Sequence, residues 1–440
     1  MTRYYRRTLA ALLTAAACAT TFAQSNGSNS SYSRFGLGTL NDQSQGFNKS
    51  MAGVGIGLRS GSRVNMANPA SYATIDSISF IFDAGMNASL GTMHSQDMRV
   101  NVNNCNIDYV NAGLRLRKGM GISFGFVPYT SIGYTFSTSS IVGKESVSTQ
   151  IITKTDAYTG SGGLHQAYVG LGFNVLKGLS VGFNAGLIWG SYTHSTTETF
   201  SEGGSQSSSY SGLTSTHEAD IKTYKIDFGA QYTTRLTNID HLTVGATASI
   251  GHKIKGEATM ERYTSSDDDP TPITAKNPFD LPYCYGVGLG WQHKNTLQVG
   301  ADFKHELWGN CRMPAYDSST GEYTPTKGSY MDRMKMAVGA QYTIDPLDKK
   351  YRNRIQYRMG VHYSTPYLKI NGANGPKEYG ITAGVGLPIT NNYTNRSVVN
   401  VGIQWLRRSP SASTMITEDY LMFNIGLTYN DAWFMKFKIK

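Results

Sequence analysis

Long apolar runs are missing from this sequence. Beyond the first two dozen residues no stretch is apolar enough to cross a bilayer as a helix, and the mean hydropathy is −0.32, so a helical membrane protein is excluded. Charge is sparse as well, at 16% of 440 residues, and no GxSxG, HExxH or equivalent spacing gathers Asp, His and Ser into a catalytic set. The chain is not expected to be an enzyme. Cysteine is scarce: Cys105, Cys284 and Cys311 form no CxxC pair, which argues against a disulfide framework and a metal site alike. Asp267, Asp268 and Asp269 lack the regular spacing of a calcium loop and read as solvated loop. Neither a cofactor nor a metal is expected.

The formal charge of +10 invites a nucleic-acid reading, but its distribution does not. Lys118, Lys177, Lys294, Lys349, Lys350, Arg352, Arg354 and Arg396 fall in short connections, whereas Glu198, Glu202, Glu218, Glu257 and Glu261 fall in or beside long ones. With no RNA-binding or helix-turn-helix pattern, no nucleic-acid partner is expected. The basic end suits anionic lipid headgroups or a partner protein.

The first residues read as an export signal: Arg3, Arg6 and Arg7, an apolar run from Leu9 to Ala19, and Thr21-Phe22-Ala23 as a small-x-small cleavage site. Cleavage after Ala23 removes Cys18, and a lipoprotein reading at that cysteine lacks the usual upstream leucine.

What the chain does have is glycine, tyrosine and a period of two. There are 48 Gly and 28 Tyr. From Ser77 onward, segments of twelve to sixteen residues place apolar and aromatic side chains on one parity and Gly, Ser, Thr, Asn or charge on the other. Leu179, Val181, Phe183, Ala185, Leu187 and Trp189, for example, oppose Ser180, Gly182, Asn184, Gly186 and Gly190. The second parity is too small and polar to pack as a core, and a wet lumen tolerates it. Connections alternate between short and long, and aromatic side chains gather near segment ends, as in an outer-membrane barrel. The long connections, polar and in part low in complexity, are expected to stay in water rather than build a core.

Fourteen such segments follow one another, the first at 77–90, the third at 121–138 and the last at 418–429. Barrels of this class have an even strand count, so the terminal WFMKFKIK is not a fifteenth strand. Residues 430–440 are read as an amphipathic periplasmic tail with Trp433, Met435, Phe437 and Ile439 on one face. The fold class is therefore all-β: a transmembrane antiparallel barrel of about 14 strands over 77–429, preceded by a signal peptide at 1–23 and a further segment at 24–76. Pro128 sits in the middle of the third segment, GISFGFVPYTSIGYTFS. Lacking an N–H, it favours a bulge or gap in the ladder there.

Charged side chains on the lumen parity include Asp83, Arg115, Arg117, Lys225, Asp227, Arg235, Asp302, Lys304, Glu306, Arg358 and His362. Mixed in sign, they read as an ion-pair network that positions whatever fills the lumen.

Fourteen strands behind a segment containing NMANPASY resemble the outer-membrane long-chain fatty-acid transporter family (FadL-type). The C-terminal patterns IQYRMGVHY and EYGITAGVGLPI resemble its branch in Bacteroidota-type outer membranes. The resemblance implies that residues 24–76 fold into the lumen as a hatch, with Asn68, Pro69 and Ala70 at its junction with strand one. It also implies hydrophobic substrates, and a kink in the third strand, at Gly125 and Pro128, that opens a lateral exit into the membrane. Membrane lipids, lipopolysaccharide and small hydrophobic molecules are the partners this predicts. The alternative is a non-transporting barrel within an outer-membrane secretion or protein-assembly complex, reached through the basic rim and the tail. Intact-mass measurement of the exported chain is expected to place the mature N-terminus at Gln24; a lipid-modified mass starting at Cys18 would contradict the cleavage site.

Overall fold

The computed structural model describes residues 29–432 except residue 78 and residues 96–97, 145–150, 203–204, 207–210, 265–270, 390–395 and 413–414. The leader, the Asp267–Asp269 run and the residues after Ala432 lie outside the described residues.

The period-two segments become fourteen long strands: β1 (Ser79–Ser95), β2 (Met98–Arg117), β3 (Met120–Lys144), β4 (Ile151–Leu176), β5 (Leu179–Glu202), β6 (Leu213–Arg235), β7 (Asp240–Ser249), β8 (Cys284–His293), β9 (Leu297–Glu306), β10 (Arg333–Thr343), β11 (Gln356–Ser364), β12 (Lys377–Pro388), β13 (Val398–Ser409) and β14 (Thr417–Ala432). Each pairs antiparallel with the next, and β14 returns to β1 to close the wall. The apolar parity faces outward, with Leu187, Val287, Met359 and Ile425 all exposed on the outer surface. The opposite parity faces a lumen in which Asn184, Gln231 and Asn400 are buried. Both the fold class and the strand count are those expected from the alternation.

One boundary differs. β14 runs past Tyr429, with Asn430 opposite Ile81 and Asp431 opposite Phe80. The Arg396 N–H donates to the Asn430 carbonyl at 3.1 Å, and the Asn430 N–H donates to the Ser397 hydroxyl at 3.1 Å. Three residues assigned to a tail beginning at 430, Asn430, Asp431 and Ala432, thus belong to the wall, because their backbone pairs with β1.

Residues 29–77, largely buried, lie against the inner face of the wall and are called the plug below. Its backbone rests directly on the wall, because the wall offers glycines there. Across neighbouring strands these glycines stand opposite one another: Gly121, Gly172, Gly182 and Gly229 from β3 to β6; Gly245 and Gly288 on β7 and β8; Gly290, Gly300, Gly339 and Gly360 from β8 to β11; Gly384 and Gly402 on β12 and β13; Gly426 and Gly85 on β14 and β1. A Cβ at Gly182 would lie 2.5 Å from the Pro69 carbonyl carbon, one at Gly245 2.0 Å from the Ile56 carbonyl oxygen, and one at Gly339 2.5 Å from that of Met51. No side chain fits at that separation.

The strands are unequal. β3 to β6 hold 25, 26, 24 and 23 residues, whereas β7 to β9 hold 10 each. A membrane needs roughly 9–11 residues per tilted strand, so β3 to β6 rise well above it as a tall sheet on one side. Residues Glu257–Thr264 extend that sheet by pairing with the upper part of β6.

Part of the long-connection set departs from its expected place in water. Ile254, Ala258, Met260, Phe279, Trp308, Tyr330 and Leu368 turn inward and pack with Tyr32 and Leu37 of the plug and with Ile132 and Tyr192 of the wall. Apolar residues spaced along polar loops, each too isolated to show a pattern, meet over the outer mouth and close it. Bidentate pairing of Arg312 with Asp280, at 2.9 and 2.8 Å, ties two of these loops together.

Gly182→Val and Gly339→Val are each expected to cost about 1–3 kcal/mol through overpacking, read as a lower denaturant midpoint of the folded band on unheated gels, with residues 45–76 becoming trypsin-sensitive. Ala246→Val, on the outer face, should leave both readouts unchanged.

Candidate functional site

The plug is pinned to the wall by polar side chains that reach across the glycine contacts. The Asn68 side-chain amide donates to the carbonyls of Ile56 (3.0 Å) and Ala230 (3.1 Å), while its oxygen accepts the Ala70 N–H at 3.1 Å. That oxygen caps the short 3-10 turn Pro69–Thr74, and the proline at the turn's first position suits it. Pro69 and Ala70 lie against Gly172, Gly182 and Gly229. Asp302 of β9 accepts the N–H groups of Gly55 (2.7 Å) and Ile56 (2.9 Å), giving a carboxylate held by plug backbone. Arg63 of the plug donates to Gln341 (2.9 Å) and Gln356 (2.5 Å), and burial lowers its pKa to about 10 against the opposing pull of Asp83. Asp83 itself accepts the Tyr109 hydroxyl at 2.9 Å.

Above the seat the lumen is polar and charged. Lys225 pairs with Asp227 at 2.7 Å, and Ser249 donates to the same carboxylate at 2.5 Å. Lys304 and Glu306 line a cavity of about 170 Å³ together with Asp42 and Lys335. Burial raises the Asp42 carboxyl, but Lys335 and Lys49 more than reverse this and hold it well below the ordinary carboxylate range. The lumen charges named from parity therefore divide. Asp83, Asp227, Asp302 and Lys304 line the plug or its cavity. Arg115 and Arg117 do not join them: the Arg115 Nε donates to the Arg117 carbonyl at 3.2 Å, and Arg117 is exposed at the lower turn. Alternation reports which face a side chain takes and says nothing of its depth, so rim arginines pass for lumen arginines.

Among the described residues the wall is incomplete at one place. β1 and β2 pair along their length, but pairing of β2 with β3 ends at Val110–Phe126. Two irregularities stand at that point. In β2 the register slips between Gly85 and Met86, so Tyr109 faces Gly85, Ile107 faces Met86, and Asp108 between them is the bulged residue. In β3 the register with β4 slips between Pro128 and Thr130, three positions beyond Gly125. Above the break, the plug takes the place of β2 beside β3. Thr39 and Leu40 pair antiparallel with Ser131 and Thr130, the Asn41 N–H donates to the Tyr129 carbonyl at 3.1 Å, and Ser33 bonds the Gly133 backbone.

Behind the break lies a cavity of about 640 Å³. Met86, Ile107, Phe126, Pro128 and Leu40 line its outer side, and Lys335, His362, Glu378 and Arg408, from β10 to β13, line it too. These polar groups are paired: Glu378 lies 3.4 Å from both His362 and Arg408, and Arg408 also reaches Glu418 at 3.2 Å. Glu418, fully buried, further accepts the Ser30 hydroxyl (2.8 Å) and the Ser31 N–H (2.8 Å), which anchors the start of the described plug.

Pro128 was visible in the sequence; the other half of the break was not. The bulged Asp108 turns its carboxylate inward to Lys49, on the plug helix Gly46–Lys49, and to the Asn87 amide. One skipped residue in NNCNIDYVNAGL shifts the parity, and that single slip was the available signal.

A family model described as BamG matches residues 5–440. Among curated proteins none matches this sequence. Solved structures with the same layout include the Ralstonia pickettii toluene transporter TbuX (TM-score 0.58, 15% identity, 89% of this chain and 99% of that one). The P. putida toluene transporter TodX is similar (0.57, 15%, 90% and 100%), as is a Pseudomonas aeruginosa FadL homologue (0.57, 13%, 90% and 99%). At these identities the likeness is one of fold, and it is the FadL-type fold.

Asp108→Asn leaves Lys49 buried without its counter-charge, and removal of one partner of a buried pair costs about 3–5 kcal/mol. The denaturant midpoint should fall accordingly, whereas Lys49→Met combined with Asp108→Leu should recover most of the loss.

Proposed function

This chain belongs to the BamG family, and from its FadL-type fold we propose that it admits small hydrophobic, fatty-acid-like molecules through the outer membrane of a Gram-negative bacterium of the Bacteroidota type. The observation that carries the reading is the broken β2–β3 ladder with a 640 Å³ cavity behind it. A molecule in that cavity has the plug beneath it and the apolar loop core above it, and its way out is sideways, past Ile107, Phe126 and Pro128. The plug acts as a fixed hatch in this account, with Asn68, Pro69 and Ala70 at its seat, and Gly125 and Pro128 mark the kink that starts the exit. Named for their substrates, the toluene transporters TbuX and TodX support a hydrophobic cargo.

A second reading has its own support. Both ends of the lumen are filled, and Arg117, Lys118, Lys177, Lys294, Lys349, Lys350 and Arg352 stand exposed around the lower rim. That basic rim favours a non-transporting subunit of an outer-membrane secretion or protein-assembly complex, docked to an acidic partner surface.

Proteoliposomes holding the purified chain are expected to take up a hydrophobic fluorescent probe faster than empty vesicles, and Pro128→Ala, which restores a ladder donor, should slow it. Uptake equal to that of empty vesicles, together with a co-purifying protein on native sizing after mild extraction, would favour the second reading.

A further inference from the structure

The cavity behind the break is lined by three cations, Lys49, Lys335 and Arg408, and three carboxylates, Asp42, Asp108 and Glu378. Each cation has its carboxylate: Lys49 has Asp108, Lys335 lies 3.6 Å from Asp42, and Arg408 lies 3.4 Å from Glu378, as does His362. A carboxylate brought in by a guest meets no free cation and has to break a pair already formed. Neutral polar groups are placed differently. Gln404 and Ser89, 6% and 8% exposed, line the cavity from β13 and β1, both directly opposite Met422 of β14, and their side chains hydrogen-bond to no other described residue. Asn106 of β2 lines it beside them, equally without a side-chain partner among the described residues. These amides and this hydroxyl face a space whose exit side is apolar, at Met86, Ile107 and Phe126.

We propose that this cavity selects an uncharged amphiphile, an apolar tail with a neutral head of hydroxyl or amide groups, over both the matching carboxylate and the bare hydrocarbon. The tail lies against Met86, Ile107 and Phe126, and the head meets Gln404, Ser89 and Asn106. A bare hydrocarbon displaces water from those side chains and returns no hydrogen bond, and a site whose buried polar groups are left unpaired rejects such a guest strongly. A carboxylate loses its hydration without gaining a counter-charge. A head of hydroxyls satisfies the site and keeps its own hydrogen bonds. The volume of about 640 Å³ is that of a site for one small molecule. The proposal rests on the uptake reading of this cavity and narrows its cargo: fatty-acid-like in the tail, neutral in the head. The pairing also shows how the choice can be changed, because Asp42→Asn releases Lys335 from its partner.

The test uses the full chain in lipid nanodiscs and three photoreactive probes that share one diazirine-bearing decyl chain and end in a glycerol ester, a carboxylate or a methyl group. Adducts are located by peptide mass spectrometry at equal probe content of the bilayer. The glycerol ester is expected to label residues 86–89 and 402–408 about tenfold or more above the other two probes. Asp42→Asn is expected to raise carboxylate labelling there about tenfold, and Gln404→Met with Ser89→Ala to lower glycerol-ester labelling to the level of the hydrocarbon. Carboxylate or hydrocarbon labelling equal to that of the glycerol ester, no labelling of these residues by any probe, or glycerol-ester labelling untouched by the Gln404 and Ser89 changes would each overturn the proposal. Uptake into proteoliposomes reads the transport account separately: uptake with no preference among heads sinks this proposal alone, and a head preference in labelling without uptake sinks transport alone.

Discussion

The backbone of the plug touches the backbone of the wall, and most of the architecture follows from that contact. An Ile56 carbonyl that would lie 2.0 Å from a Cβ at Gly245 tolerates no side chain there. The same holds around the circumference, so glycines on adjacent strands must stand opposite each other in register. Glycine weakens a strand by giving up packing and adding unfolded-state entropy. Here the weakness is offset by the plug, which fills the space and supplies hydrogen bonds through Asn68, Arg63 and the Asp302-bound amides. Wall and plug are thus one packed body in the lower lumen.

With that body in place, any opening has to lie elsewhere. The outer mouth is covered by loops that bury Trp308, Tyr330 and Phe279 over Tyr32 and Leu37. What remains is the side, and the side is broken by two local devices at one height: a bulge that turns Asp108 inward to Lys49, and a proline that lacks an N–H. Lys49 belongs to the plug and Asp108 to β2, so the element that blocks the lower lumen also fixes the strand at which the wall parts. Charges lining the cavity are mutually paired, which keeps it polar without giving it a strong net charge.

Much of this was legible in the sequence because a barrel obeys a period of two so strictly. All fourteen strands, the short and long connections and the place of Pro128 follow from alternation and from proline's missing donor. Arg115 and Arg117 were misplaced because parity carries no depth. Asp108 was missed because a bulge inserts one residue and flips every parity beyond it. The loop core was missed for a different reason: Met260, Phe279 and Trp308 come from separate connections, and only the folded chain brings them together. Asn430 and Asp431 have low strand propensity and read as a break, yet tertiary pairing with Ile81, Phe80 and Ser397 outweighs that preference.

The central claim is that the plug is fixed and the wall parts only above it, between β2 and β3. Backbone hydrogen exchange on the purified chain in lipid nanodiscs addresses this directly. Amides of residues 45–76 should exchange as slowly as those of β12 and β13, while those of residues 98–107 that face the break exchange orders of magnitude faster. Fast, concerted exchange of residues 45–76, with residues 98–107 as protected as the closed wall, would contradict it.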